Sequence, residues 1–268
     1  MAIFFRALAI LIVAGAATGS FVHPASAGEP IAVVELYTSQ GCNSCPPADE
    51  MLGELAKRED VVALSLHVDY WDYLGWKDTF GSAEFVTRQR GYARANGRRT
   101  IYTPELVVEG KTHVVGSNPA AVKRALEMAH ARARNNLDVS FVRDKEYVTV
   151  KVAGTSNDAR RAAVFLFRYD HQNDVAIERG ENAGKTLAYH NVVREIRRLD
   201  TGHAEELSIM LPIKDLKMGG RDGCAVIVQE EGNGAIIGAA RLALANLSPL
   251  HRGRVFFARR LAPGPLPR

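Results

Sequence analysis

Apolar runs alternate with helical periodicities over residues 31–134. The apolar runs are short and rich in Val, Ile and Leu, which is typical of buried strands. Four strands are predicted, at 31–37, 61–68, 105–109 and 112–115. Apolar residues that recur every three to four positions predict three helices, at 45–57, 82–96 and 118–134. The predicted order is therefore β-α-β-α-β-β-α.

The pattern changes after residue 136. The later apolar segments are short, mostly alternate with polar residues, and are separated by Gly, Asn and Asp. Seven strands are predicted, near 138–143, 146–153, 162–170, 188–199, 206–211, 223–230 and 234–245. Strands at this spacing without intervening amphipathic helices favour a β-sandwich. The chain is therefore expected to contain an α/β domain at 28–136 and an all-β, sandwich-like domain at 137–247.

Both ends of the chain have the composition of non-globular segments. Arg6, the apolar stretch 7–17 and the small residues Ala25-Ser26-Ala27 are typical of a signal peptide at 1–27, with cleavage after Ala27. The apolar stretch is short for a membrane span, and no other segment is long and apolar enough to cross one. A periplasmic or secreted protein without a stable membrane span is predicted. The basic, Pro-containing tail 248–268 is predicted to be flexible.

Composition narrows the function only slightly. The chain of 268 residues is 47% apolar and 24% charged, as in ordinary globular proteins, and its formal net charge is +4. That charge is too small to indicate a nucleic-acid partner without a clustered basic face. Three cysteines in an exported chain do not make a disulfide-stapled scaffold.

The motif Cys42-Asn43-Ser44-Cys45 carries the most specific chemistry. It lies where the first strand gives way to a helix, and a helix N-terminus favours the reactive thiolate. A reversible dithiol/disulfide pair is therefore plausible. Cys224 stands in an apolar strand and is expected to be a buried core thiol.

The order of the first elements and the CxxC position resemble the thioredoxin superfamily. More specifically, the chain is similar to the DUF1223 family of exported, thioredoxin-like bacterial proteins, a resemblance that spans nearly the whole mature chain. The strings that carry this similarity are VVELYTSQGCNSCPPAD at 33–49, HVDYWDYLGW at 67–76, GENAG at 180–184 and NVV at 191–193. The expected fold class is thus an α/β thioredoxin-like domain followed by an all-β sandwich-like domain.

The resemblance assigns roles to individual residues. Cys42 would be the exposed nucleophile and Cys45 the shielded resolving thiol. Pro104 would be a cis-proline facing the dithiol, leaving the backbone of Thr103 free to pair with a substrate strand. Glu35 would accept the proton of the resolving thiol, although its offset from Cys42 is about one residue too long. The alternative for Glu35 is a strand carboxylate paired with Lys or Arg.

The loop after the second strand is rich in aromatic residues. Tyr70, Trp71 and Trp76 follow a strand end that is expected to lie at the same sheet edge as Cys42. They are predicted to form a partner-binding wall, since Trp and Tyr are favoured in binding hot spots. The alternative is that they only cover the core. A single histidine such as His67 is more often structural than a ligand.

Three functions remain open on this reasoning. The first is an exported thiol–disulfide oxidoreductase that uses the Cys42–Cys45 pair, without another cofactor, on protein thiols and disulfides or on a redox partner protein. The second is a module for copper or another soft metal, with Cys42, Cys45 and His67 as ligands. The third is a non-catalytic binding module in which Cys42–Cys45 is a structural disulfide. The uncharged Asn43-Ser44 pair predicts a moderate oxidant rather than an extreme one.

Overall fold

The computed structural model describes residues 31–132, 137–154, 162–201, 206–245 and 247. The predicted signal peptide 1–27 and the predicted tail 248–268 lie outside these residues. In the described part of the chain, no helix combines the length and hydropathy needed to cross a membrane.

The elements follow the predicted positions closely. The strands are β1 Ala32–Thr38, β2 Val61–His67, β3 Glu105–Val108, β4 Thr112–Val115, β5 Asp138–Arg143, β6 Tyr147–Ala153, β7 Ala162–Ala176, β8 Thr186–Thr201, β9 Leu207–Pro212, β10 Gly223–Glu230 and β11 Ile236–Ala243. The α-helices are α1 Pro46–Ala56, α2 Ala83–Ala95, α3 Pro119–Arg132 and the short α4 Ile213–Leu216.

Local signals in the sequence explain where the longer helices begin. Ser82 is the N-cap of α2, and its side chain accepts a hydrogen bond from the Glu84 N–H. Asn118 plays the same part before α3 by accepting from the Ala121 N–H at 3.1 Å. The α2 helix is followed by Gly97 at φ 66°, a conformation that glycine adopts without steric cost.

One large sheet contains strands from both halves of the chain. Its order is β11-β10-β7-β8-β2-β1-β3-β4, with parallel pairing between β1 and β2 and between β2 and β8 and antiparallel pairing elsewhere. The remaining strands form a small antiparallel sheet of order β5-β6-β9. The β2–β8 junction has a single register pair, Ser65 with Val192, and the Asn191 side chain also donates to the Ala63 carbonyl at 2.8 Å.

The predicted fold class is therefore wrong, although the predicted strands exist. The molecule is mostly β with an eight-stranded mixed sheet, and it is not a thioredoxin-like α/β domain followed by a separate β-sandwich. The physical reason is the pairing of β8 with β2 through Val192 and Ser65, which carries hydrogen bonding across the expected boundary. Val192 lies within the predicted strand 188–199, but the alternation of apolar and polar residues does not identify a strand's neighbour.

Alternating side chains divide the large sheet into two buried faces. On one face, α1 and α3 cover β1, β2 and β3, with Leu36, Leu52 and Leu126 among the packed residues. The small sheet packs against β7, β10 and β11, and the residues between them form a second hydrophobic core. The opposite face of the large sheet carries α2, where Leu64 and Ile227 belong to one continuous core. That core includes strands from both halves of the chain.

A buried ion pair lies within the α2-side core. Both carboxylate oxygens of Glu35 accept from the Arg88 guanidinium at 2.7 Å. The hydroxyls of Tyr92 and Tyr37 also donate to the Glu35 carboxylate, at 2.6 Å and 3.1 Å. The side-chain oxygen of Gln229, on β10, accepts a hydrogen bond from Arg88 at 2.9 Å. The network therefore joins β1, α2 and β10.

Replacing Arg88 with Met should destabilise the fold strongly, because Glu35 would remain buried without its counter-charge. The expected loss in the free energy of unfolding is about 3–5 kcal/mol, measured by urea denaturation at pH 7. The exposed Arg90, on the same helix, is the matched control. Its change to Met should alter stability by less than about 0.5 kcal/mol, and an equal loss in the two variants would contradict the assigned importance of the pair.

Candidate functional site

A disulfide bond joins Cys42 and Cys45 at the start of α1. The two Cα atoms are 5.4 Å apart. Cys42 is 2% exposed and Cys45 is 0% exposed, whereas Asn43 and Ser44 between them are exposed. The CxxC turn therefore presents its middle residues to solvent and keeps both sulfur atoms inside, so that Cys42 is not the exposed thiol that was expected.

Local sequence explains why the motif forms a strand-to-helix turn. The Cys42 N–H donates to the Ser39 carbonyl at 3.1 Å, which turns the chain after β1. Cys45 is the N-cap of α1, and Pro46 and Pro47 fill the first helical positions, where no backbone N–H partner is needed. The Cys45 carbonyl accepts the Asp49 N–H at 3.1 Å. The dithiol therefore lies at the N-terminal end of the helix, where negative charge on sulfur is favoured.

Pro104 lies at the same end of the sheet. The Thr103–Pro104 peptide bond is cis, as predicted. Pro104 precedes β3, whose first pair with β1 is Glu105 with Tyr37, so Pro104 stands beside the end of β1 from which the CxxC turn departs. The substrate-pairing role predicted for Thr103 stays a prediction.

The predicted aromatic residues flank this edge. The Trp71 indole donates to the Thr103 hydroxyl at 2.7 Å, and the Trp76 indole donates to the Gln40 side chain at 2.8 Å. Tyr70 is partly buried, like the tryptophans, and its hydroxyl donates to the Gln89 side-chain oxygen at the long distance of 3.4 Å. The two tryptophans thus contact the segments that precede Pro104 and Cys42.

Tyr73 is an aromatic residue of this loop that the sequence reasoning passed over. Its side chain is 76% exposed and its ring stacks on Trp71 with centroids 6.3 Å apart. Its position two residues after Trp71, in the same aromatic loop, could have marked Tyr73 as a candidate binding residue.

Asn182, at the turn between β7 and β8, holds the CxxC turn from the other half of the chain. Its buried amide donates to the carbonyls of Gln40 at 3.0 Å and Cys42 at 2.9 Å. Lys185 donates to the Asn182 side-chain oxygen at 2.9 Å, which supports this amide orientation. The sequence had identified 180–184 only as a family-like string, because a polar loop residue gives no signal of its distant partners.

Glu35 is not placed beneath the dithiol. Its neighbours Val34 and Leu36 face α1, so alternation along β1 directs Glu35 to the opposite face, where Arg88 binds both of its oxygens. This arrangement agrees with the alternative of a strand carboxylate paired with an arginine.

Asp49 is a buried carboxyl on the α1 face of the sheet, opposite the face where Glu35 lies. It is 4% exposed and stands four residues after Cys45, on the same side of α1. Burial raises the pKa of Asp49 to about 7, although the nearby His67 opposes the shift. In the sequence, Asp49 stood out only as the last residue of the family-like string at 33–49.

His67 is structural in its contacts. Its Nδ1 lies 2.8 Å from the Asp78 carboxylate, and its ring packs between Phe80 and Tyr189. Within the part of the chain that the structure describes, no three or more His, Cys, Asp or Glu side chains are arranged to hold a metal ion. The proposed ligand set of Cys42, Cys45 and His67 is therefore not assembled.

Cys224 is a free, buried thiol in β10, as predicted. Burial raises its pKa to about 12, while Arg168 opposes the shift. Its sulfur is therefore kept in the unreactive thiol form, separate from the dithiol.

Comparisons with known proteins identify the family. The family model described as a protein of unknown function, DUF1223, matches residues 33–229, and the chain belongs to that family.

A crystal structure of a protein from Agrobacterium tumefaciens is 33% identical with a TM-score of 0.69, and the alignment covers 82% of this chain and 97% of that one. A β-glucosidase from Kluyveromyces marxianus, crystallised with glucose, is 15% identical with a TM-score of 0.19, covering 40% of this chain and 14% of that one. A likeness that low carries no argument. No curated protein matches the chain.

Asn182→Ala should loosen the CxxC turn, because two buried carbonyls lose their donor. The expected loss in the free energy of unfolding of the oxidised protein is about 1–3 kcal/mol in urea denaturation. The exposed neighbour Glu181 provides the control, since Glu181→Ala removes no bond to the turn and should change stability by less than about 0.5 kcal/mol. Equal effects of the two changes would refute the contact's importance.

The ionisation of Asp49 should make stability fall with rising pH. Its pKa is higher in the folded protein than in the unfolded chain, so the folded state binds the proton more tightly and loses stability between about pH 4 and pH 7. Asp49→Asn removes this dependence, and relative to wild type it should gain on the order of 2–4 kcal/mol between pH 4 and pH 8. Urea denaturation across that range measures the difference. The exposed Glu54 of α1, changed to Gln, should leave the wild-type profile unchanged.

Proposed function

We propose that this DUF1223 protein is an exported thiol–disulfide oxidoreductase that acts on protein disulfides through Cys42 and Cys45. The observation that carries the proposal is the Cys42–Cys45 disulfide at the N-terminal end of α1. Two sulfurs bonded across a CxxC turn can alternate between dithiol and disulfide, and the helix end favours the thiolate that exchange requires. Export to an oxidising compartment, on the strength of residues 1–27, is part of the same proposal.

The reaction is two successive exchanges. The Cys42 thiolate attacks one sulfur of a substrate disulfide, forming a mixed disulfide and releasing one substrate thiolate. The Cys45 sulfur, after losing its proton, attacks Cys42 Sγ, restores the Cys42–Cys45 bond and releases the second thiolate. Two electrons pass to the substrate, and the two protons lost by the cysteines balance those gained by the substrate thiolates. The reverse sequence oxidises a substrate dithiol.

The surroundings of the dithiol favour an extended protein segment as substrate. Thr103 stands before a residue without an N–H, at the sheet edge beside the CxxC turn. Trp71 contacts Thr103, and the exposed Tyr73 stacks on Trp71. A substrate strand could pair with the Thr103 backbone while its side chains contact this aromatic pair. Because both sulfurs are buried, exchange requires the turn to open locally.

A structural disulfide is the second candidate function. The burial of both cysteines and the two bonds from Asn182 to the turn favour it, since both features protect the disulfide from attack. The two candidates differ in reduction potential. Redox-active pairs lie at about −270 to −120 mV, whereas structural disulfides of secreted proteins lie below about −300 mV.

Equilibration in glutathione buffers, followed by alkylation of free thiols, should give a potential of about −270 to −180 mV for wild type. Cys42→Ser should abolish exchange with a mixture of reduced and oxidised proteins, and Cys45→Ser should accumulate a mixed disulfide on Cys42. Cys224→Ser, which changes a buried thiol outside the site, should keep wild-type exchange. A potential below −300 mV together with no exchange beyond Cys42→Ser would establish the structural disulfide instead.

A further inference from the structure

Five buried side chains beneath α1 carry polar atoms without hydrogen-bond partners among the described residues. They come from β1, α1, β2 and β8 and constitute the α1 polar cluster. Its unpartnered atoms are Thr38 Oγ1, both carboxylate oxygens of Asp49, Ser65 Oγ, His67 Nε2 and the Tyr189 hydroxyl. Each buried polar atom left unpaired costs about 1–3 kcal/mol, so a concentration of them in one place calls for a functional explanation.

The cluster is one site rather than a scatter of residues. Thr38 and His67 are register partners on β1 and β2, and Ser65 precedes His67 by two residues on the same face. The Tyr189 ring lies 4.7 Å from the His67 ring. Asp49 is on the buried side of α1, with Ala48 and Leu52, which pack against β1 and β2. Its charge also raises the pKa of Tyr189.

The cluster adjoins the dithiol through α1. Asp49 follows Cys45 by four residues, and residues at this spacing lie on the same helix face with Cβ atoms about 5–6 Å apart. Both side chains are buried under the helix. Another buried acid of this region, Glu35, is paired with Arg88 on the opposite face of the sheet. Asp49 is therefore the carboxyl suited to exchange a proton with the resolving cysteine.

We infer that Asp49 takes up the proton of the Cys45 thiol when the dithiol is oxidised and returns it when the disulfide is reduced. This inference rests on the proposed function. In oxidation, the S–H bond of Cys45 breaks and its proton passes to the Asp49 carboxylate, directly or through the α1 polar cluster. The sulfur keeps the electron pair and forms the bond to Cys42 Sγ, while the substrate thiolate leaves. In reduction, protonated Asp49 neutralises the Cys45 thiolate as it departs from Cys42.

The surroundings place this proton transfer near neutral pH. Burial under α1 is the largest effect and raises the pKa of Asp49 to about 7. His67 on β2 lowers the pKa of Asp49, and Asp78, which is paired with His67, raises it, as does Glu50 on α1 itself. The Thr38 hydroxyl also lowers the pKa of Asp49, although the two groups do not meet the geometry of a direct hydrogen bond.

The strand β8 also packs against α1 and contributes two titratable side chains. Tyr189 keeps its proton, since burial and the charges of Asp49 and Asp78 raise its pKa. The His190 ring lies against Gly53, one helical turn beyond Asp49, where an added Cβ would come within 2.6 Å of it. Of the ionisable groups around the cluster, Asp49 combines a shift into the neutral range with a place one turn from Cys45.

A two-phase thiol assay on the full chain tests the inference. All variants carry Cys224→Ser, so that Cys42 and Cys45 are the remaining thiols. One equivalent of dithiodipyridine is added to reduced protein, and thiopyridone release is followed by absorbance from pH 5 to pH 9. The first release reports attack by Cys42, and the second reports attack by Cys45 on the mixed disulfide.

In wild type the second release should accelerate as pH rises through about 7, because Asp49 accepts a proton only when ionised. Asp49→Asn should slow the second release at least about tenfold at pH 7.5 and leave the first unchanged. The remaining rate should rise only at higher pH, with the ionisation of the thiol itself. Glu54→Gln, which changes an exposed carboxyl further along α1, should match wild type in both phases.

The outcomes separate this inference from the proposed function. A wild type that gives no first release overturns both. Normal first release with an equally fast second release in Asp49→Asn overturns the role of Asp49 alone, as does equal slowing by Glu54→Gln. If Asp49→Asn fails to fold, Thr38→Val keeps the test open. Loss of the Thr38 hydroxyl should raise the pKa of Asp49 and move the inflection of the second release to higher pH, and an unmoved inflection overturns the inference.

Discussion

The buried pair of Glu35 and Arg88 is the interaction on which the arrangement of the two halves depends. Its charges are removed from water, so each must be satisfied by groups that the fold itself supplies. Tyr92 comes from α2, whereas Gln229 comes from β10, nearly 200 residues after the strand that bears Glu35. Satisfying the pair therefore requires both halves of the chain to be in place, and it explains why α2 is covered by strands of the second half rather than by solvent.

The Glu35–Arg88 pair and the disulfide lie on opposite faces of the large sheet. Alternation along β1 places the ion pair on the α2 face and leaves the α1 face for the dithiol and Asp49. On the first face, the Glu35 carboxylate is held by an arginine and two hydroxyl donors. On the second, both carboxylate oxygens of Asp49 are without a hydrogen-bond partner among the described residues, and burial raises the pKa of this carboxyl to about 7. Glu35 thus has a structural role in an ion pair, whereas Asp49 has the environment that the proposed proton transfer requires.

The sequence was informative wherever a feature depends on neighbouring residues. The predicted helices begin at Ser82 and Asn118, and the CxxC motif was placed at a strand-to-helix turn. The cis bond before Pro104 was expected from the family resemblance alone. It failed where the outcome depends on distant partners. Hydrophobic alternation tells which face of a strand is buried and does not tell which strand lies beside it, so the pairing of β8 with β2 was invisible. The burial of Asp49 depends on that pairing, because β8 supplies Tyr189 to the space beneath α1.

The joining of the halves changes what the second half contributes to the site. Had it formed a separate sandwich, the CxxC turn would have been held by its own local bonds alone. Instead the β7–β8 turn supplies Asn182, whose amide binds the carbonyls of Gln40 and Cys42 from 140 residues away in the chain. The same β8 strand covers the α1 polar cluster. A movement of this hairpin would therefore alter two things at once, the burial of Cys42 and the surroundings of Asp49. In the proposed reaction, opening the turn to a substrate and setting the proton affinity of Asp49 are therefore coupled through the β7–β8 hairpin.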